Sequence, residues 1–102
     1  MSYKFNTTYD VPIDNGGIDV EFHIEYEPYG WYKNQPGEIN IINVSVGDYQ
    51  CVPDGNGKFK YVPLNNYERD NAEHWLAATP LEFFEDDAAD DLRNNPPEPN
   101  WL

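Results

Sequence analysis

The most constraining feature of this chain is a strict alternation of apolar and polar residues from Ile18 to Glu27. The apolar members are Ile18, Val20, Phe22, Ile24 and Tyr26, and the polar ones between and after them are Asp19, Glu21, His23, Glu25 and Glu27. A period of two is typical of a strand that buries one face and exposes the other. Residues 3–13 alternate in the same way, and Asn15-Gly16-Gly17 supplies residues that accept positive φ. The sequence therefore predicts a hairpin of two strands.

Two more strands are predicted, over about residues 38–46 and 58–62. Residues 38–46 are rich in Ile and Val, which favour strands, but the apolar phase slips at Ile41-Ile42. That slip predicts either a bulge or a strand that is buried on both faces.

Helical signals replace the strand pattern in the last third of the chain. Asn65 followed by Glu68 has the spacing of a capping box and predicts a helix through about Ala78. Thr79-Pro80 then predicts the N-cap and first residue of a second helix, which ends near Arg93. Its apolar stripe consists of Leu81, Phe84, Ala88 and Leu92. The expected fold is α+β, an antiparallel sheet of about four strands with two C-terminal helices in a single domain over residues 1–93, followed by a Pro-rich tail over residues 94–102.

Charge limits the partners of such a domain. The chain has 19 Asp and Glu against 6 Lys and Arg, a formal net charge of -13 over 102 residues. This balance opposes direct binding to nucleic acid or to an anionic membrane and favours a basic protein surface as the partner. No apolar stretch approaches the roughly 20 residues that span a bilayer. With Cys51 as the only cysteine, we expect no internal disulfide and a cytoplasmic location.

Two groups of carboxylates are candidates for partner binding. The strand row, on the polar face of the second strand, consists of Asp19, Glu21, Glu25 and Glu27. The helix cluster, on the last helix, consists of Glu82, Glu85, Asp86, Asp87, Asp90 and Asp91. Like charges at i,i+4, and acids near a helix C-terminus, destabilise a helix locally, and such costs are typical of functional surfaces. The alternative for each group is an ordinary solvated face.

Aromatic residues provide further candidates. Phe83 is predicted on the polar side of the last helix, where it anchors a basic partner or else packs against the sheet, Trp75 or the tail. Tyr29, Trp31 and Tyr32 form a secondary contact patch in the predicted loop before the third strand, or else close one end of the core.

Catalysis and metal binding have little support in the sequence. The acids of the last helix do not have the spacing of an EF-hand loop. His23 and His74 have no second ligand at a spacing typical of zinc. The chain contains neither a recognisable nucleophile context nor a Gly-rich phosphate loop followed by a helix. We therefore expect a protein that is not an enzyme and has no metal or other cofactor, with a small hydrolase as a minor alternative.

Residues 18–30 (IDVEFHIEYEPYG) and 35–44 (QPGEINIINV) resemble a pattern in small phage and prophage proteins of unassigned function. In those proteins, an alternating strand that ends in tyrosine and proline precedes a Pro-Glu loop and another strand. In size and charge the chain is also similar to phage-encoded DNA mimics that block host defence or DNA-binding proteins. That likeness is compositional and transfers no functional residue.

The resulting hypothesis is a non-catalytic acidic inhibitor that mimics the charge of DNA and blocks a basic, DNA-binding surface of a host protein. The alternative is a structural or assembly accessory protein that binds through its aromatic loop and sheet edges. Dimerisation is compatible with both hypotheses.

Overall fold

The computed structural model of the chain describes residues 2–14, 16–30 and 37–95. Its sheet contains four antiparallel strands in the order β1-β2-β3-β4, so each strand pairs with its neighbour in the chain. The strands are β1 (Tyr3–Ile13), β2 (Gly16–Tyr29), β3 (Glu38–Pro53) and β4 (Phe59–Pro63). Together with two helices they confirm the predicted α+β class.

The predicted hairpin joins β1 and β2, but its turn lies earlier than expected. The last residue of β1, Ile13, pairs with Gly16, and Gly17 pairs with Pro12. Both glycines are therefore strand residues. Asp14 adopts the left-handed conformation, with φ of 52°, that a two-residue hairpin turn requires. Asn15 lies outside the described residues.

β3 continues to Pro53, well past its predicted end at Val46, and its last residues pair with β4. Its register with β2 shifts twice. One shift leaves Ile42 unpaired, with Ile41 buried and Ile42 44% exposed, so the strand has the bulge, the first of the two predicted alternatives. The other falls at Gly47, where a Cβ atom would lie 2.9 Å from the backbone oxygen of Glu21. Glycine at this position lets the two backbones approach closely.

The first helix, α1 (Asn66–Ala78), begins as predicted. Asn65 Oδ1 accepts a hydrogen bond from the Glu68 backbone N at 2.8 Å, and Glu68 Oε1 accepts one from the Asn65 backbone N at 3.0 Å. This confirms the capping box. Glu68 Oε2 also accepts a hydrogen bond from Gln50 Nε2 at 2.8 Å, which ties the start of α1 to β3.

The second predicted helix begins later than expected. A 3-10 turn over Leu81–Phe84 precedes α2 (Glu85–Asn94). Thr79 does not cap the second helix, because its hydroxyl donates to the Trp75 backbone oxygen at 2.7 Å and so closes the end of α1. Leu81 is 50% exposed and does not belong to the buried stripe, because the 3-10 turn has a different residue period from the helix.

The core lies between one face of the sheet and the helices. The even-numbered residues of β2 from Val20 to Tyr26 are at most 1% exposed, and Phe84 is fully buried against them. Burial of each large apolar side chain stabilises the fold by roughly 1.5–3 kcal/mol. No structural element packs on the other face of the sheet within the described residues, so the odd-numbered side chains of β2 lie on an uncovered face.

Candidate partner-binding surfaces

The two predicted groups of carboxylates lie on opposite sides of the sheet. The strand row occupies the uncovered face, since its residues alternate with the buried side chains of β2. The helix cluster lies on the helical layer, which packs against the other face through Ala88 and Leu92. The two groups therefore do not form one continuous surface, because the sheet separates them.

Two members of the helix cluster attach the helix to the sheet. The Tyr9 hydroxyl on β1 donates a hydrogen bond to Asp87, and the Tyr26 hydroxyl on β2 donates one to Asp91 Oδ2 at 2.8 Å. Asp87 and Asp91 are half-buried and four residues apart, which places them on the same side of α2. Both carboxylates thus have a structural role that their sequence positions do not reveal.

The tyrosines in these pairs are strongly perturbed. Burial raises the pKa of Tyr9 and of Tyr26 well above the usual tyrosine value. The carboxylates of Asp87 and Asp91 raise each tyrosine pKa further, because their hydrogen bonds favour the protonated hydroxyl and their charges repel a phenolate. Both hydroxyls therefore remain protonated donors over the whole neutral range.

The other acids of the helix cluster are exposed. Asp90 forms an ion pair with Arg93, with Oδ1 and Nη1 separated by 2.7 Å. Glu85 and Asp86 lie in the first turn of α2, where the helix dipole favours negative charge. The later start of α2 takes Glu82 out of the α-helix and so removes its i,i+4 repulsion with Asp86, whereas Asp86 and Asp90 remain four residues apart within the helix. In the described part of the chain, Glu82, Glu85 and Asp86 have no side-chain partner.

Phe83 combines features of both predicted interpretations. Its ring contacts those of Tyr9 and Trp75, with centroids 5.6 and 5.9 Å apart, yet the residue is 49% exposed. Phe83 therefore packs on the core along one side and presents the other to solvent beside Glu82.

The strand row follows the length of the uncovered face. Glu21 is half-buried beside His23, with Oε1 and Nε2 separated by 3.5 Å. Glu25 accepts a hydrogen bond from the Ser2 hydroxyl at 2.7 Å, and Glu27 accepts one from the Tyr29 hydroxyl at 3.1 Å. The four carboxylates lie on one face of β2, two on each side of His23.

At one end of the row, two carboxylates face each other. Asp19 pairs directly with Asp10 across β1 and β2, and both residues are exposed. Like charges directly opposite each other destabilise an antiparallel pair. Neither carboxylate has an ion-pair partner among residues 2–14, 16–30 and 37–95. The sequence analysis did not single out Asp10, although its place in the alternation of β1 puts it on this face.

Next to these acids lies an aromatic patch, defined by Tyr49, Phe59 and Tyr61, that the sequence analysis missed. Cys51 pairs with both Asp19 and Tyr61, so the patch shares the uncovered face with the strand row. The three aromatic residues are 43%, 68% and 62% exposed, respectively. Tyr-x-Cys-x-Pro at 49–53 and Phe-x-Tyr at 59–61 carry the period of two that could have revealed it.

A shallow pocket connects the aromatic patch with the strand row. It has a volume of about 250 Å³ and is lined by Asn6, Thr7, Thr8, Glu21 and Tyr61. Of the predicted secondary contact patch, Tyr29 is 44% exposed, whereas Trp31 and Tyr32 lie outside the described residues.

Neither a metal centre nor a membrane span emerges from the described part of the chain. It contains no group of three or more His, Cys, Asp or Glu side chains placed to hold a metal ion. Neither of its helices has the length and apolar character needed to cross a membrane.

Comparisons with known proteins add no functional information. No protein-family model matches the chain, and no curated protein or solved structure is significantly similar to it.

Proposed function

We propose that this protein is a non-catalytic inhibitor that binds a basic protein surface through the uncovered face of its sheet. The observation that carries the proposal is the strand row together with Asp10 of β1, which lies directly opposite Asp19 at the end of the row. Because like charges in this arrangement cost stability, a cationic partner that lies between them relieves a strain of the free protein. In the finer form of the proposal, the partner is a DNA-binding protein of a bacterial host, and the acidic protein is phage-encoded and acts in the host cytoplasm.

The electrostatics of the chain support this function. A net charge of -13 steers a basic partner toward the protein and repels nucleic acid. The strand row lies on a sheet, whose regular spacing holds Asp19 and Glu21, and likewise Glu25 and Glu27, roughly 6.7 Å apart, with His23 between the two pairs. DNA also presents regular, dense negative charge to the Lys and Arg residues of its binding proteins.

The aromatic patch adds apolar contact to this surface. Lys and Arg side chains bind carboxylates and also stack on aromatic rings, so Tyr61 beside Glu21 fits the chemistry of a basic surface. Phe59, which is 68% exposed, supplies an apolar anchor at the edge of the same face.

Neutralisation of the strand row tests the proposal. Proteins from a bacterial lysate are first bound to immobilised duplex DNA and then eluted with the purified acidic protein. The test variant carries Asp19→Asn, Glu21→Gln and Glu25→Gln. The matched control carries Glu82→Gln, Glu85→Gln and Asp86→Asn, which remove the same charge from the helix cluster.

We expect the wild type and the control to elute the same host protein, identified by mass spectrometry, and the test variant to lose this activity. We also expect binding of the eluted protein to weaken steeply with added salt. Failure to elute any protein, equal activity of both variants, or affinity that does not change with salt would contradict the proposal.

The second candidate function is that of an assembly accessory protein, which the exposure of Phe59 and Tyr61 favours. In that case apolar contacts dominate, and the charge keeps the protein in solution. Binding would then persist at high salt and would be lost on Phe59→Ser and Tyr61→Ser substitution, while neutralisation of the strand row would leave it unchanged.

A further inference from the structure

One long edge of the sheet has no partner within the described residues. β1 pairs with β2 along its whole length of 11 residues and with no other described strand. The helical layer packs on a face of the sheet, through side chains such as Tyr9, and so leaves the edge backbone of β1 available. An open edge of this length is a template for another strand.

The hairpin geometry shows which residues of β1 direct their backbone groups outward. Ile13 and Gly16 flank the two-residue turn and therefore form a hydrogen-bonded pair. The register between β1 and β2 has no shift, so hydrogen-bonded pairs recur at every odd-numbered residue of β1. The backbone N–H and C=O groups of the even-numbered residues consequently point away from β2; these residues are Lys4, Asn6, Thr8 and Asp10.

Pro12 agrees with this assignment. It is also even-numbered, so its missing N–H falls on the outward side, where it removes no hydrogen bond to β2. Proline in an edge strand is expected at such positions.

We propose that a second copy of the chain binds this edge, with the two β1 strands antiparallel about a two-fold axis at Thr7. This register places Lys4, Asn6, Thr8 and Asp10 opposite outward-facing residues of the second copy, so that each of these four pairs exchanges both backbone hydrogen bonds. Asn6 lies opposite Thr8, and Lys4 lies opposite Asp10 of the second copy.

Charge selects this register. When the axis lies at Asn6, Lys4 faces Thr8 of the second copy, so no carboxylate of the second copy lies opposite it. An axis at Thr8 places Lys4 opposite Pro12, which has no N–H to donate. The Thr7 register pairs the unlike charges of Lys4 and Asp10 twice, once on each side of the axis, and opposite charges directly across a ladder stabilise it.

The odd-numbered residues of β1, whose side chains lie on the opposite face from Lys4 and Asp10, also match between the two copies. In the same register Phe5 faces Tyr9 of the second copy, and Tyr3 faces Val11. Phe5, Tyr9 and Tyr3 are only partly buried within one chain, so pairing of the two copies would remove more of their apolar surface from water.

The second edge of the sheet is less suited to pairing. It consists of β4, which has only five residues and ends at Pro63, with Lys58 and Lys60 at its start, and of residues 38–48 of β3, which β4 does not reach. The bulge at Ile42 and the register shift at Gly47 interrupt that part of β3, and such irregularities oppose strand addition. Short strands, lysine and proline all protect an edge from further pairing. Association through β1 alone joins identical surfaces, so it closes at the dimer.

The high net charge opposes this dimer, because two chains of -13 repel each other. Moderate salt screens this long-range repulsion, and we therefore expect salt to favour the dimer. Salt should have the opposite effect on the proposed binding to a basic partner, so the two proposals can be tested separately.

An exchange of the two charges tests the proposal directly. Lys4→Asp places two acids opposite each other at both ends of the pairing, and Asp10→Lys places two bases there. The double variant, Lys4→Asp with Asp10→Lys, restores unlike pairs and has the same net charge as the wild type. Circular dichroism confirms that each variant is folded, and sedimentation equilibrium measures its mass over a range of concentrations.

We expect the wild type and the double variant to reach twice the 11.8 kDa mass of one chain. Each single variant should raise the dimer dissociation constant by about tenfold or more, since an attraction becomes a repulsion at both pairs. In hydrogen exchange, the amides of residues 4, 6, 8 and 10 should be protected in the dimer and should exchange quickly in the single variants.

Three results would overturn the proposal. The first is a wild type that remains monomeric in moderate salt at the highest attainable concentration. The second is a dimer that neither charge reversal weakens, which would indicate another interface. The third is protection of the same four amides in a monomer, which would show that a segment of the same chain covers the edge.

Discussion

Removal of the Tyr26 hydroxyl is the most informative perturbation of the helix–sheet contact. Tyr26 is 1% exposed, and its hydroxyl donates to Asp91 Oδ2 at 2.8 Å. In Tyr26→Phe the ring and its packing remain, but the half-buried carboxylate of Asp91 loses this donor and retains a longer hydrogen bond from Asn95 Nδ2 at 3.3 Å. The substitution therefore isolates one hydrogen bond to a charged group.

At neutral pH, we expect Tyr26→Phe to lower the free energy of unfolding by about 1.5–3 kcal/mol, the usual contribution of such a bond. This difference should decrease at alkaline pH. Because the tyrosine pKa is raised in the folded protein, the contribution of Tyr26 is complete below the unfolded value near pH 10 and is lost as the pH rises above it. At pH 11 the difference in free energy of unfolding between the wild type and Tyr26→Phe should therefore be about 1.4 kcal/mol smaller than at pH 7, because only the wild type loses the contribution of Tyr26.

Urea unfolding followed by tryptophan fluorescence at pH 7 and pH 11 measures both effects. Tyr29→Phe is the matched control, since the Tyr29 hydroxyl also donates to a carboxylate, that of Glu27, but from a residue that is 44% exposed. We expect the control to change stability by less than about 0.5 kcal/mol. Equal costs for the two variants, or a Tyr26→Phe penalty that is the same at both pH values, would refute the assigned role of the pair.

Three further predictions concern the fold. Phe84→Ala should lower the free energy of unfolding by about 3–5 kcal/mol, because it leaves a cavity under α2, whereas Leu81→Ala, at a half-exposed residue, should cost far less; similar melting temperatures for the two variants would contradict the assigned core. Asn65→Ala should cost about 1 kcal/mol through loss of the N-cap of α1, as measured by urea unfolding, and no loss would exclude an energetic role for the capping box. Gly47→Ala should cost about 1–3 kcal/mol, since the added methyl group meets the backbone of β2, and unchanged stability would contradict the close approach at this bulge.

The sequence predicted those features that depend on local patterns. The alternation in β2 and the capping box at Asn65 specify their structures through residues that are close in the chain. The hairpin turn and the start of α2 were misplaced because neighbouring signals compete. Asp14, like glycine, tolerates positive φ in a turn, and it takes the turn position ahead of the two glycines. Thr79 could cap the next helix, but its hydroxyl instead donates to the Trp75 backbone oxygen and closes α1.

The features that sequence reasoning missed depend on contacts between distant residues. The Tyr9–Asp87 hydrogen bond joins residues 78 positions apart, and no local pattern identifies Asp87 as a structural acid. The position of the helix cluster relative to the strand row depends on which face of the sheet α2 covers. The aromatic patch was missed because the predicted third strand ends at Val46, whereas the observed β3 continues through Tyr49 to Pro53.

The order of the elements along the chain has a consequence for synthesis. All four strands precede residue 64, whereas the elements that cover their apolar face follow it. The strands can pair as they leave the ribosome, since each one pairs with its neighbour, but the side chains of Phe22 and Ile24 remain in contact with water until α1 and α2 have also emerged and packed against the sheet. A nascent chain of this protein therefore passes through a stage with a bare apolar sheet, the kind of surface that chaperones bind and that promotes aggregation.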